Sequence, residues 1–413
     1  MVKKLELKNI NSELEKDLSG TKYIENSLAY FLLISLFCVN FLGRGSIFCL
    51  LFGLFAIFKI RNFKLDICTS FCFLLSFSSI IASVIYTDLL EATKCINFLL
   101  MYLIGLNGYF KAHHKEIYVK RLVFAIFLGY AIYIFLTFLI NRNIQPEYEG
   151  QRIIVNFWTK GKIAVTLIGL ISSVIIGYAA YVFLCRKKLL LKILVLFSLV
   201  LVVLINSKTA TRTPILLMLI IAVIMGSVYI FNQKGMQSLK IIVISLLLLT
   251  LAGFLISADF MGLRTAIEST PIFRRFQKEG NDTGRTEIFK LHASYFFEYM
   301  WGGEYIQAIT GQMAHNYLQQ GHDLYGFFAT IALVCITICV FRNIVKLLKR
   351  RNKKEADYLF LSMYTAMLIQ MCLEPVFTGY PCYFFSFLLI HGTATGYLYS
   401  DIAQRGIAEN ENC

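Results

Sequence analysis

Charge is scarce in this chain: Asp, Glu, Lys and Arg make up only 16% of its 413 residues, against 57% hydrophobic residues and a mean hydropathy of +0.65. A soluble core does not absorb that much apolar surface, so a soluble globular protein is excluded and a polytopic membrane protein is expected. Paired cysteine motifs are also lacking. Eleven cysteines are scattered, mostly within apolar runs, and no CxxC stands in a polar loop, which argues against a disulfide framework or a zinc site. There is no obvious internal repeat and no low-complexity tract. The opening "MVKKLELKNINSELEKDLSG" ends in no small-residue cleavage pattern, so the first apolar run is expected to be the targeting signal.

What remains is apolar runs, many of them long enough to cross a hydrocarbon core. Approximate runs at 26–43, 45–60, 66–86, 95–110, 121–140, 163–184, 189–205, 214–232, 239–257, 324–341, 357–374 and 380–399 predict an all-α protein of about twelve spans. The net charge of +15 then has a place. With the amino terminus in the cytoplasm, about 26 Lys and Arg fall inside and about 14 outside, against about 12 and 13 acidic residues. The inner side carries roughly +14 and the outer roughly +1, which assigns the basic excess to membrane topology and not to nucleic acid. The reading is one integral membrane domain with a cytoplasmic segment at 1–25, a large external loop at 258–323 and a cytoplasmic tail at 400–413. No particular membrane follows from composition alone.

Two external segments are long, 141–162 and 258–323, and long connections in a compact protein are usually functional or disordered. In "GRTEIFKLHASYFFEYMWGG", Ile288, Phe289, His292, Tyr295, Phe296, Tyr299 and Met300 recur at helical spacing. They predict a helix lying on the outer surface, ended by Gly302 and Gly303 and capped by Asp282 or Thr283.

The external polar chemistry gathers at a few residues. Arg152, Arg212 and Arg285 each offer a planar, permanently charged fork matched to phosphate, although surface arginines also bind lipid headgroups. Arg212 is set apart by a short hairpin, "NSKTATRTPILL", whose Pro214 suits a first helical turn. His315, followed by Asn316, is a candidate for proton transfer near neutral pH, with a purely structural role as the other reading. Glu304, Asp323 and Glu374 are candidates to orient it or to bind sugar hydroxyls. His113 and His114 read as polar surface of a cytoplasmic loop. Gly326, Ala329 and Thr330, at i, i+3 and i+4, predict a small-residue helix face for close packing near the site. Trp158 and Trp301 read as interfacial anchors or as sugar-binding surfaces. No dense external carboxylate cluster suggests a divalent cation; Asp88 and Glu91 come nearest.

Two stretches resemble a known family. "RTPIL" at 212–216 looks like an R-x-x-x-L motif, and "HNYLQQGHDLYGFFAT" at 315–330 looks like the H-[NSQ]-x(9)-G-x-x-G-T motif of bacterial O-antigen polymerases and ligases, with Ala329 where the motif has Gly. "GQRIIVNFWTKGKIA" and "TGRTEIF" resemble further segments of that family, so the likeness runs from about residue 150 onward. It implies an integral membrane glycosyltransferase of the bacterial cytoplasmic membrane, with no cofactor and no metal. The implied reaction moves a glycan from undecaprenyl pyrophosphate to a sugar hydroxyl at the outer face. The resemblance casts His315 as base and Arg212 as electrostatic catalyst. Arg152, Arg285, Asn316 and Glu304 would bind pyrophosphate or glycan. Membrane lipid, a chain-length regulator and a flippase are the partners it implies. A polymerase of repeat units is the preferred reading; a ligase acting on the finished polymer and a flippase of the same lipid-linked sugar are the alternatives.

Overall fold

The computed structural model describes residues 24–60, 62–87, 89–143, 153–233, 250, 254, 257–259, 262–279 and 284–410. Among them the chain forms an all-α membrane protein with one two-stranded hairpin. The helices are α1 (Leu28–Cys38), α2 (Gly45–Ile60), α3 (Ile67–Tyr86), α4 (Leu89–Lys111), α5 (Lys115–Ile140), α6 (Thr166–Cys185), α7 (Leu189–Lys208) and α8 (Thr213–Asn232). They continue with α9 (Leu263–Glu268), α10 (Pro271–Glu279), α11 (Arg285–Ser294), α12 (Tyr305–Thr310), α13 (Tyr317–Leu348), α14 (Glu355–Met371) and α15 (Pro381–Asn410).

Each expected apolar run coincides with a helix except 239–257, which lies almost wholly outside the described residues. Six helices, α3, α5, α6, α7, α8 and α13, are long and apolar enough to cross a membrane. α1 is not. Its 11 residues rise only about 16 Å, roughly half a hydrocarbon core. It ends early because Asn40, at φ 50°, turns the backbone left-handed and its Oδ1 accepts from the Gly45 N–H that opens α2. Where the sequence suggests a long loop at 141–162, strands β1 (Ile153–Val155) and β2 (Lys162–Ala164) pair antiparallel, Ile154 opposite Ile163. Asn141 extends that pairing, since its side chain bonds both the N–H and the carbonyl of Val155.

α4 and α15 pack closest in the bundle, and glycine permits it. A Cβ at Gly105 would stand 2.2 Å from the Leu389 carbonyl, and one at Gly392 would stand 2.1 Å from that of Tyr102. Contact this close trades side-chain bulk for backbone approach, which is how helices associate where no hydrophobic force drives them together. Ion pairs fasten one end of the bundle: Glu355 meets Lys120 at 2.8 Å and Arg186 at 3.0 Å, while Arg350 bridges Asp357 at 2.7 Å and Asp401 at 2.9 Å. The candidate site lies at the other end.

The small residues at the head of α13 do something other than pack a neighbouring helix. Gly326 has φ 84° and ψ −173°, so the helix breaks there. Loop main chain fills the break: Phe327 N–H donates to Met300 O at 2.8 Å, Gly303 N–H to Leu324 O at 3.2 Å and Glu304 N–H to Asp323 O at 2.8 Å. The Thr330 hydroxyl lies across the break, donating to the Gly326 carbonyl and bonding His322 Nδ1. The expected surface helix ends for the same reason. α11 stops at Ser294, the chain turns back, and Phe296 stacks on His322 with centroids 3.8 Å apart. Gly284 occupies its N-cap position; the proposed caps Asp282 and Thr283 lie outside the described residues.

Gly326→Ala forces an L-residue into glycine-only backbone space and puts its Cβ 2.7 Å from the Met300 carbonyl. A loss of about 1–3 kcal/mol from backbone strain alone is expected, seen as a lowered apparent melting temperature in detergent. Gly226→Ala is the control, since nothing lies within 4 Å of its added Cβ and a helical alanine there should be neutral or stabilising by up to about 1 kcal/mol. Equal melting temperatures for the two variants would contradict the break.

Candidate functional site

The hairpin between α7 and α8 is built to hold Arg212 inward. After α7, Ala210 takes φ 50° and Thr211 N–H returns to the Asn206 carbonyl at 2.9 Å, so the chain reverses within a few residues. Arg212 then stands at the N-cap of α8, with Pro214 in the first turn where a missing N–H costs nothing. Its side chain is buried, not splayed on the surface as a loop position would suggest. Arg275, on α10, donates to the Ala210 carbonyl at 2.9 Å and so ties the large loop to this hairpin.

The segment from His315 to Asp323 divides its polar side chains by task. Asn316 caps α13, its Oδ1 accepting from Gln319 N–H at 2.9 Å. Gln319 reaches the Phe289 carbonyl on α11 at 2.8 Å. Gln320 accepts from the N–H groups of Val376 and Phe377 at 2.6 and 2.8 Å, holding the turn between α14 and α15. Asp323 accepts from Ile306 and Gln307 N–H, fixing the start of α12. His322 bonds Thr330 through Nδ1 and stacks on Phe296, and of the two histidines His315 is the one that lines open space. Its Nδ1 is buried and, among the described residues, has no hydrogen-bond partner.

His315 stands in the wall between two cavities. The larger, about 360 Å³, is lined by Arg212, Arg275, Arg285, Glu374 and His315, with Leu216 and Ile220 on its apolar side. The smaller, about 250 Å³, is lined by Thr286, Phe289, Asn316, Gln319 and Cys372, and shares Arg285, His315 and Leu373 with the first. Arg285 pairs with Glu374 at 2.7 Å, and the Thr213 hydroxyl donates to the same carboxylate oxygen at 3.4 Å. Among the described residues three guanidinium groups and one carboxylate line this partly water-excluded space, a lining suited to an anion. Burial holds the His315 pKa below the ordinary histidine value, and the nearby positive charge of Arg285 and then His292 lowers it further. The imidazole is neutral at pH 7 and able to accept a proton.

The structure brings together Arg212, Arg285, His315 and Asn316. Arg152 lies outside the described residues, as does Asp88. Glu304 is exposed at the N-cap of α12, at φ 61°, and does not line either cavity; Asp323 is spent on backbone N–H groups, and Glu374 meets Arg285. Gly326 and Thr330 shape the loop that carries His315, while Ala329 is buried among apolar neighbours. Arg275 was not visible in advance, because nothing in "PIFRRFQKE" separates it from Arg274. Trp158 donates its indole N–H to the Val39 carbonyl at 3.0 Å and so anchors the β hairpin, while Trp301 is exposed. Among the described residues, the one group of side chains spaced to hold a metal ion is Glu25, His113 and His114, at the end of the bundle away from the cavities.

Site-resolved diethyl pyrocarbonate labelling against pH, which reads neutral imidazole, should give His315 an inflection below about 6.5. Arg285→Gln removes a neighbouring positive charge, stabilises the imidazolium and should move that inflection to higher pH. An unshifted inflection would show that Arg285 does not act on His315. No protein-family model matches the chain, and no curated protein matches it.

Proposed function

We propose that this protein is a membrane glycosyltransferase that lengthens a polysaccharide, joining oligosaccharide repeat units carried on undecaprenyl pyrophosphate into O-antigen, capsular polysaccharide or exopolysaccharide. The observation that carries the reading is the placement of His315: a neutral imidazole with an uncommitted nitrogen, set between an arginine-lined cavity and a second cavity of hydrogen-bonding and aromatic side chains. The motif resemblance of 212–216 and 315–330 supports the same assignment.

In this reading the donor pyrophosphate sits with Arg212, Arg275 and Arg285, and its polyprenyl tail leaves past Leu216 and Ile220. The acceptor sugar hydroxyl enters from the smaller cavity. His315 takes the hydroxyl proton as the acceptor oxygen bonds to the donor's anomeric carbon. The bond from that carbon to the phosphate oxygen breaks on the opposite face, and undecaprenyl pyrophosphate departs with the electron pair. The configuration inverts. The arginines stabilise negative charge as it develops on the leaving group, which is electrostatic catalysis by groups already in place. The asymmetry of basic loops puts the cavities outside the cytoplasmic membrane and both termini inside. Transfer to a final acceptor, the ligase reaction, would use the same donor cavity.

Purified protein given its repeat unit on undecaprenyl pyrophosphate should produce a ladder on a gel, and His315→Ala should lower the rate by about 10²-fold or more. Arg212→Lys should also lose most activity, because a point charge does not replace a bidentate fork. Product formed only when a final acceptor is added would move the assignment to ligase, and a ladder from His315→Ala would remove the histidine as base.

A further inference from the structure

A third cavity, of about 210 Å³, opens at the same end of the bundle, between the α1–α2 turn, the head of α4 and the start of α15. Its polar wall is Arg44, Lys94, Asn97 and Ser46, and its apolar wall is Ile47 and Leu50. Arg44 is exposed and, among the described residues, forms no ion pair; Lys94 shares its charge with Glu91, one turn away. The cavity lies at the start of α2, a 16-residue helix whose positive end adds to the field. A second observation points to a ligand. Asn97 is fully buried and its Nδ2 donates to the Ser46 carbonyl at 3.3 Å, yet among the described residues its Oδ1 has no partner. A buried acceptor without a donor costs stability, so it marks a place where a hydroxyl or N–H belongs.

We infer that this cavity seats the glycosyl pyrophosphate of a second lipid-linked substrate, the acceptor; the inference rests on the transferase reading above. Each feature matches one part of such a molecule. Arg44 and Lys94 meet the phosphates, the Asn97 carbonyl accepts from a hydroxyl of the first sugar, and Ile47 and Leu50 line the way out for the prenyl chain. An anion alone would satisfy the cations and leave Asn97 unanswered, because a carbonyl oxygen does not bond a phosphate oxygen.

Its position suits an acceptor. The turn between α14 and α15 borders both regions: Leu373 lines the two cavities at His315, and Gly379 lines this one. Six residues of chain keep their backbones within about 22 Å. An acceptor repeat unit attacks through a hydroxyl at the end remote from its own pyrophosphate, so its phosphate seat must lie an oligosaccharide's length from the base. The donor, cleaved at the sugar next to its pyrophosphate, needs phosphate seats beside the base, where Arg212 and Arg285 stand.

The test counts undecaprenyl pyrophosphate bound to the full-length protein in detergent by native mass spectrometry, with phosphatidylglycerol as competitor. Wild type should bind two molecules per chain, neither displaced by phosphatidylglycerol. Arg44→Gln and Arg212→Gln should each bind one, and the double variant none. An unchanged melting temperature for Arg44→Gln shows that a loss is not unfolding, and Asn97→Asp, which keeps the acceptor but repels phosphate, should lose the same molecule. One molecule bound by wild type, kept in Arg44→Gln and lost in Arg212→Gln, overturns the acceptor seat and leaves the transferase reading standing. Two molecules kept in Arg44→Gln, or displacement of the Arg44-dependent molecule by phosphatidylglycerol, overturns the acceptor seat as well. No binding by wild type overturns both.

Discussion

A backbone in hydrocarbon has to satisfy its own hydrogen bonds, so a helix can be interrupted there only where another piece of chain supplies the missing partners. α13 is interrupted at Gly326, and the partners come from the segment Met300–Glu304. The exchange works in both directions: the loop closes the helix, and the helix fixes the loop. Asp323, just ahead of the break, holds α12 by two N–H groups, and Gln319 and Gln320 reach α11 and the α14–α15 turn. The large loop is thereby set in one position over the bundle, and Arg285 and Arg275, which it carries, are brought to Arg212 and His315.

The electrostatics follow from that arrangement. Arg212 is buried at a helix start, where the positive end of the helix adds to its charge, and Arg285 is tempered by Glu374. Among the described residues the cavity gathers several guanidinium groups and one carboxylate, a lining suited to negative charge. Burial first, and the charge of Arg285 after it, lower the pKa of His315. In the proposed chemistry Arg285 thus serves twice, drawing in a pyrophosphate and disfavouring the imidazolium.

Much of the fold was legible because hydrocarbon imposes length and apolarity on each run, and the start of α8 shows as Pro214. Arg212, Arg285 and His315 were legible as chemistry, since few ionisable residues stand outside the apolar runs. Their mutual positions were not, because they lie far apart in sequence and meet only through the loop. Gly326 was read as a contact glycine, and it is a conformational one as well: the loop main chain approaches it closely and its φ is positive, which an apolar run does not reveal. The reverse error applies to α4 and α15, whose Gly105 and Gly392 serve close approach without standing in a recognisable motif together. Asn97 shows a third limit. A polar residue inside "CINFLLMYL" gives no sign of whether its carbonyl will be answered by protein.

Leu216 and Ile220, which line the larger cavity, are 47% and 42% exposed on α8, which in the proposed reading gives a prenyl chain a way in from the side. A prenylated ligand entering by that route arrives by two-dimensional diffusion within the bilayer. The encounter rate then depends on the ligand's mole fraction among the lipids and is indifferent to the volume of the surrounding solution. In a reconstituted system, saturation would be set by the ligand-to-lipid ratio, and added detergent would slow turnover by surface dilution with the protein itself unchanged.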